Sequence, residues 1–209
     1  MTQQKLSWDE VRAWRKGERQ RLIEARVATV QEIRARWTRA IIETLEPILR
    51  ESEGPISFYW PFRGEPDLRP LMRVLAGEGI TLALPVVAEP KTPLVFRRWE
   101  PGSKMELGVW NIPVPATKEE VVPRLLLAPV VGFTPDFYRL GYGGGYFDRT
   151  LAKLGSGHAA IGIGFEMGRL ATIHPQPHDI AMRQIVTEKG VVGARRRPGP
   201  PPAGHDRVS

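Results

Sequence analysis

The sequence predicts an α/β fold: a three-layer sandwich with a mixed, largely parallel sheet and two N-terminal helices packed beside it. Three observations lead to this expectation. The first fifty residues have helical periodicity, runs rich in β-forming residues follow from residue 56 onward, and helical stretches separate several of those runs. Strands that alternate with helices are typical of a parallel sheet, because parallel strands need crossover connections that cover its faces.

Two helices of about 18 to 22 residues each are expected at the N-terminus. Ser7 with Glu10, and Thr29 with Glu32, have the spacing of a capping box, in which a hydroxyl and a carboxylate satisfy the first backbone amides of a helix. The second helix has an apolar stripe at intervals of four residues: Ile33, Trp37, Ile41, Leu45 and Leu49. The first helix is crowded with arginine, for which a solvated face is the simplest explanation.

The remaining elements follow from short apolar runs. Strands are expected at residues 56–60, 81–87, 94–99, 125–133 and 159–165, with helices near 67–76 and 144–154. We find no internal repeat and no linker before about residue 194, so residues 1–194 are expected to form one domain. Residues 195–209 are rich in proline and arginine and are expected to be a disordered basic tail.

Composition narrows the class of protein. The apolar fraction of 42% and the charged fraction of 25% are those of a globular protein, and the absence of cysteine excludes disulfides and thiolate metal sites. No apolar run approaches the length of a membrane span, no signal sequence is expected, and a cytoplasmic location is the default. Residues 189–209 hold five basic residues against one acidic, which is +4 of the net +7, so nucleic acid is not expected as the main partner.

A glycine-rich segment at 139–149, RLGYGGGYFDR, carries the strongest chemical signal. It lies between an apolar strand and a helical run, where glycines let the backbone approach a ligand and the helix start offers unpaired amides to phosphate. Asp148 could hold Mg²⁺ and Arg149 could bridge phosphate oxygens. The segment matches neither a P-loop nor a Rossmann fingerprint, and a flexible turn without a ligand is the alternative.

The ordered motifs resemble the 5-formyltetrahydrofolate cyclo-ligase family over residues 11–192. They are WPFRGEPD at 60–67, LPVV at 84–87, WNIPVP at 110–115, the glycine segment, HD at 178–179 and IVTE at 185–188. The resemblance implies an ATP- and Mg²⁺-dependent enzyme that converts 5-formyltetrahydrofolate to 5,10-methenyltetrahydrofolate. It would do so by phosphorylating the formyl oxygen, with release of ADP and phosphate. It also implies a monomer whose partners are a reduced folate and ATP, with no membrane partner.

The resemblance assigns roles by position in this sequence. ATP binding falls to Arg12, Arg15, Arg21, Arg139, Gly141, Gly143, Gly144, Gly145, Phe147 and Arg149. Substrate binding falls to Trp60, Glu65, Trp110, Tyr142 and Tyr146. Arg149 and Tyr146 are the expected catalytic residues, and Asp148 and Asp179 the expected metal ligands. The carboxylate of Glu65 suits the pterin ring, whose 2-amino group and N3–H are both donors.

One departure leaves an alternative open. The family usually has lysine four residues before the position of Arg15, and here that residue is Val11. The chain could therefore be a folate- or nucleotide-binding paralogue without the activity. A third possibility is an RNA-associated accessory protein that uses the arginine-rich first helix and tail.

Simpler readings apply to some of the assigned residues. Glu65 could cap the helix expected near 67, although Asp67 is the better candidate, and Asp148 could be a helix-start residue without a metal. His174 and His178 are four residues apart beside Asp179, but the prolines between them exclude a helix, so no histidine metal site is expected.

Overall fold

The computed structural model describes residues 6–193, and the expected basic tail at 195–209 lies outside that range. Four α-helices are present: α1 at Trp8–Ala28, α2 at Gln31–Arg50, α3 at Arg69–Gly77 and α4 at Tyr146–Leu154. Both N-terminal helices have the expected length, at 21 and 20 residues. Within residues 6–193, no helix combines the length and the apolar character that a membrane span needs.

The strands form one large sheet and two small hairpins. Their bounds are β1 Ile56–Ser57, β2 Leu82–Val86, β3 Val95–Trp99, β4 Met105–Leu107, β5 Pro113–Pro115, β6 Leu125–Pro129, β7 Gly132–Phe133, β8 Arg139–Leu140, β9 Ala159–Ile163, β10 Gln184–Thr187 and β11 Gly190–Val191. The seven-stranded sheet has the order β11-β10-β9-β6-β1-β2-β3. β4 pairs with β5, and β7 with β8.

The large sheet is mixed and mostly parallel, as expected. β10, β9, β6, β1 and β2 run parallel, whereas β3 and β11 are antiparallel edge strands. From β1 the chain moves first towards β2 and β3, and later returns to the other side through β6, β9 and β10. The strand order therefore reverses at β1 and β6, and a crevice opens at the carboxyl ends of strands at such a point.

Helices cover both faces of the sheet, which confirms the three-layer architecture. On one face, the stripe of α2 buries Ile41, Leu45 and Leu49 completely against strand residues such as Leu127. On the other face, Leu151 of α4 packs in a second cluster with alternate residues of the same strands. Successive side chains of a strand point to opposite faces, so each central strand serves both layers.

Capping was predicted correctly for α1 and wrongly for α2. The Ser7 hydroxyl accepts from the amide of Glu10, and the Glu10 carboxylate accepts from the amide of Ser7, which completes the capping box. The N-cap of α2 is Val30, without a side-chain cap. Thr29 instead ends α1, where its hydroxyl donates to the carbonyl of Ala25 at 2.9 Å. Because α2 begins at Gln31, Thr29 lies one residue before the N-cap position, and its hydroxyl bonds to the end of α1.

Several strand bounds differ from the expectation. The run at 56–60 has only two strand residues, and the run at 125–133 breaks into β6 and β7 because the chain turns away from the sheet at residues 130–131. The hairpin of β4 and β5 and the strands β8, β10 and β11 were not predicted. Most of these are two or three residues long, which is too short for a period of two to be visible in a sequence.

Candidate active site

A cavity of about 950 Å³ opens at the carboxyl ends of β1, β2 and β6. Tyr59 and Trp60, which follow β1, line it together with Pro85 of β2 and Pro129 of β6. The glycine segment, α1 and residues 177–180 complete the wall. Six cationic side chains and three carboxylates line the cavity: Arg12, Arg15, Lys16, Arg19, Arg139 and Arg149, with Glu65, Asp148 and Asp179. This excess of positive charge suits an anionic ligand.

At one end of the cavity, Glu65 is held by a network of buried hydrogen bonds. Glu65 is 7% exposed. Its carboxylate accepts from the hydroxyl of Tyr142 at 2.8 Å and from the backbone amide of Phe62 at 2.9 Å. The guanidinium of Arg26 donates to the same hydroxyl at 2.6 Å and lies 4.0 Å from the carboxylate. Glu65 therefore caps no helix, and its carboxylate is an acceptor at the cavity wall.

The electrostatics of this network favour proton exchange near neutrality. Burial raises the pKa of Glu65 to about 7, against the opposing effects of Arg26 and of the donors Tyr142 and Phe62. Burial, followed by the neighbouring Glu65, raises the pKa of Tyr142, so its hydroxyl keeps its proton and remains a donor. A ligand that donates further hydrogen bonds to Glu65 would favour the ionised carboxylate and lower its pKa.

The glycine segment forms a tight turn at the start of α4. Gly143 has φ +92° and Gly145 has φ +65°, a left-handed conformation that is unfavourable for residues with a Cβ. Gly145 is the N-cap of α4 and has no capping side chain, so the amides at this helix start are available to a ligand.

Arg149 is folded back over this turn. One of its terminal nitrogens donates to the carbonyl of Gly144 at 2.5 Å, and its guanidinium lies 5.1 Å from the centre of the Tyr146 ring. Its Nε is buried and has no hydrogen-bond partner within the described residues. An unsatisfied charged donor beside a helix start is suited to a phosphate oxygen.

The set of α1 arginines that line the cavity differs from the expected set in two residues, Arg19 and Arg21. Arg12, Arg15 and Arg19 line the cavity, and Arg19 also donates to the carbonyl of Gly141 at 2.6 Å. Arg21 was expected to contact the nucleotide, but it pairs with Glu18, is largely exposed and is not part of the lining. It lies two residues from Arg19, about 200° around the helix, and so leaves the proposed set.

Val11 likewise does not face the cavity. It is 1% exposed and is not among the residues that line the cavity. The cavity-lining residues near it are Trp8 and Arg12. The alternative of a paralogue without the activity is decided by turnover, and the engagement of Arg15 and Arg19 in the cavity does not favour the RNA alternative.

The two expected metal ligands are both paired with arginine. Asp148 accepts from Arg139 at 2.8 Å and from the amide of Ile180 at 3.0 Å. Asp179 accepts from Arg15 at 2.5 Å and from the amide of Gln176 at 2.7 Å. Burial opposes ionisation of Asp179, but these donors outweigh it and lower its pKa.

This pair is compatible with Mg²⁺ only in the presence of a further ligand. Within residues 6–193, no three His, Asp or Glu side chains are grouped so that they could hold a metal by themselves. Mg²⁺ usually keeps several waters and takes one or two carboxylates together with substrate phosphates. Asp148 and Asp179 have that chemistry, since each carboxylate oxygen can accept a second bond.

Aromatic side chains cover the rest of the wall. Trp60 lies under the guanidinium of Arg69 at 4.6 Å, and Trp110 packs edge-on to Tyr146 with ring centres 6.4 Å apart. Trp110 is 54% exposed and has φ +58°, in the loop between β4 and β5. The other expected site residues, Phe147 and Tyr142 among them, also line the cavity.

Several cavity or network residues were missed by the sequence reasoning, among them Trp8, Arg19 and Arg26. Trp8, whose ring is edge-on to His178 at 5.7 Å, lines the cavity mouth. Arg19 was one arginine among many on α1, although its spacing of four from Arg15 places both on one face. Arg26 had no signal, because a buried arginine in a basic helix looks the same in sequence as a solvated one.

Comparison with known proteins gives a consistent result. The sequence model described as the 5-formyltetrahydrofolate cyclo-ligase family matches residues 11–188. A 5-formyltetrahydrofolate cyclo-ligase of Mycolicibacterium smegmatis is 29% identical over 156 residues, 70% of this chain and 80% of the relative. The NMR structure of Aquifex aeolicus 5,10-methenyltetrahydrofolate synthetase superposes with a TM-score of 0.74 at 27% identity, covering 93% of this chain and 99% of that one.

A second solved structure is similar in fold. The 5,10-methenyltetrahydrofolate synthetase of Mycoplasma pneumoniae superposes with a TM-score of 0.65 at 23% identity, covering 83% of this chain and 98% of that one.

Proposed function

The chain belongs to the 5-formyltetrahydrofolate cyclo-ligase family, and we propose that it uses ATP to convert 5-formyltetrahydrofolate to 5,10-methenyltetrahydrofolate. The observation that carries the proposal is the cavity itself. Its wall combines a buried carboxylate with a glycine turn and several arginines. A pterin and a triphosphate need those two environments side by side.

The pterin end is assigned to Glu65. Its two oxygens already accept from Tyr142 and from the amide of Phe62, and each has a further lone pair. The adjacent donors of a pterin, N3–H and the 2-amino group, would bind those lone pairs side by side. Trp60 and Trp110 would contact the apolar parts of the folate.

The triphosphate end is assigned to the turn and the basic residues around it. The amides at the start of α4 would bind phosphate oxygens, with Arg12, Arg15, Arg19, Arg139 and Arg149 balancing the charge. Arg149 would leave the carbonyl of Gly144 to bind the transferred phosphoryl group, since its Nε has no partner within the described residues. Asp148 and Asp179 are the residues that would hold Mg²⁺, which would neutralise phosphate charge when bound.

The reaction needs positioning and charge neutralisation more than a covalent protein intermediate. The formyl oxygen attacks the γ-phosphorus of ATP, the bond between the β- and γ-phosphoryl groups breaks, and ADP leaves. The formyl oxygen now belongs to a phosphate ester, which is a good leaving group. N10 attacks the formyl carbon and loses its proton, the carbon–oxygen bond to phosphate breaks, and the five-membered ring is closed.

Turnover by the purified protein tests this proposal. With 5-formyltetrahydrofolate, ATP and Mg²⁺, we expect the absorbance of the methenyl product to rise and one ADP to be released for each product. A folded protein that binds both ligands without turnover would instead support the non-catalytic paralogue. Arg149→Ala and Asp148→Ala should each lower kcat by more than about tenfold, equivalent to about 1.4 kcal/mol. Arg21→Ala, outside the cavity, is the matched control.

A further inference from the structure

Arg26 is buried in the interior although it is charged. Only 4% of the residue is exposed, and with Val11 and Leu22 it is one of three buried residues of α1. It does not line the cavity, so it cannot contact either substrate directly. A buried guanidinium is unfavourable unless its donors and its charge are satisfied, which makes its partners informative.

The first partner of Arg26 is the hydroxyl of Tyr142. A guanidinium has donors only, so the hydroxyl must accept from Arg26 and direct its own proton elsewhere. The remaining partner within reach is Glu65, to which the hydroxyl donates at 2.8 Å. Arg26 thereby fixes the direction of the hydrogen bond that Glu65 receives.

The second partner of Arg26 is the turn that presents Glu65. Its Nε donates at 3.0 Å to the carbonyl of Arg63. Arg63 has φ +47° and is followed by Gly64 with φ +75°, so the turn contains a non-glycine residue in the left-handed region. Such a conformation persists only where surrounding contacts hold it, and the bond from Arg26 is one of those contacts.

The third contribution is charge. The guanidinium lies 4.0 Å from the carboxylate, and both side chains are almost fully buried. The other titratable groups that face Glu65 within the described residues are the hydroxyls of Tyr142 and Tyr59, and the latter donates to the carbonyl of Pro66. Arg26 is therefore the cation that offsets the burial of Glu65.

We propose that Arg26 is a positioning residue for the reaction: it orients the Tyr142 hydroxyl, holds the turn before Glu65, and stabilises the ionised form of that carboxylate, which accepts from the pterin donors. This inference rests on the proposed function, since the pterin contact of Glu65 is part of it. Burial raises the pKa of Glu65 and Arg26 lowers it, which agrees with this geometry.

Titration of Glu65 in the ligand-free protein tests the inference without reference to activity. The protein is labelled with ¹³C at the glutamate carboxyl carbons, and the Glu65 signal is assigned by its loss in Glu65→Gln. We expect a midpoint near 7 in the wild type, and a midpoint at least about one pH unit higher in Arg26→Met, which keeps much of the length but removes the charge. Arg26→Lys retains the charge and should shift the midpoint less.

Arg34→Met is the matched control. Arg34 donates to the carbonyls of Arg26 and Val27 at the end of α1 and lies near Gly64, but within the described residues it has no bond to Glu65 or Tyr142. We expect the control to leave the midpoint of Glu65 unchanged. A shift of equal size in Arg34→Met, or no shift in Arg26→Met, would overturn the proposal. If Arg26→Met does not fold, Tyr142→Phe replaces it: loss of the hydroxyl must raise the midpoint, and an unchanged midpoint overturns the proposal.

The KM for 5-formyltetrahydrofolate as a function of pH supplies the second readout. In Arg26→Met the KM for 5-formyltetrahydrofolate should begin its acid-side rise at a higher pH than in the wild type, in step with the Glu65 midpoint. The KM for ATP should change less, because Arg26 does not line the cavity and bonds to the glycine segment only through the Tyr142 hydroxyl. Equal changes in both KM values would indicate a general structural defect and overturn the proposal. A wild type without turnover but with the expected titration shifts would refute the proposed function, and only the effect of Arg26 on the Glu65 carboxylate would stand.

Discussion

Replacement of Glu65 by glutamine should stabilise the fold at alkaline pH while it impairs folate binding. The folded pKa of about 7 lies above the ordinary value of 4.5, because burial disfavours the charged form. The contribution of Glu65 to the free energy of unfolding is therefore fully present below pH 4.5. It is lost as the pH rises from there through 7, where the buried carboxylate ionises. A difference of about 2.5 pKa units corresponds to about 3 kcal/mol at pH 8.

Glutamine removes this charge but keeps the shape of the side chain. Its amide nitrogen must face either the Phe62 amide or the Tyr142 hydroxyl, both of which now donate to the carboxylate. The hydrogen bond that is lost should reduce the gain from removing the charge by about 1 kcal/mol. The net gain at pH 8 is then about 2 kcal/mol, a rise in Tm of about 4 to 8 °C for a chain of this size. At pH 5 Glu65 is mostly protonated, so the two proteins should differ little there.

Differential scanning calorimetry of both proteins at pH 5 and pH 8 measures this effect. Comparison of the two proteins at each pH cancels the titration of all other groups. A Glu65→Gln protein that is less stable than wild type at pH 8 would show that the attraction to Arg26 outweighs burial, and the reasoning would fail. A Tm difference that is the same at both pH values would refute it too.

Three other predictions follow from the geometry. Gly145→Ala introduces a Cβ at φ +65° and 2.7 Å from a terminal nitrogen of Arg149, so kcat should fall by about tenfold. Gly17→Ala, on α1 with no atom within 4 Å of its new Cβ, should leave steady-state kinetics unchanged. Arg19→Met should raise the KM for ATP by about tenfold, whereas Arg21→Met should not; equal effects would contradict the assigned helix face. Leu45→Ala should lower the free energy of unfolding by about 2 to 5 kcal/mol in urea denaturation, and a loss below about 1 kcal/mol would show that its burial was misjudged.

Much of the architecture could be predicted because it depends on local patterns. The α2 stripe repeats every four residues, and the Ser7 capping box lies within four residues of sequence, so both are readable without tertiary structure. The glycine turn was recognisable because left-handed backbone and helix-start amides leave a local composition signal. The Thr29 capping box failed because α2 begins one residue later than that spacing implies, with Val30 as its N-cap, and where a helix begins was decided by the packing of the chain.

The pairing of charges around the cavity could not be predicted from the sequence. The sequence alone determined which residue types were present and that a glycine-rich turn stood near acidic and basic side chains. Only the tertiary structure decided which pairs meet: Arg15 with Asp179, 164 residues apart, and Arg26 with Tyr142, 116 residues apart. Such pairs depend on the order of strands in the sheet and on which helix face is buried. Both are set by packing of the whole domain, so no short stretch of sequence contains them.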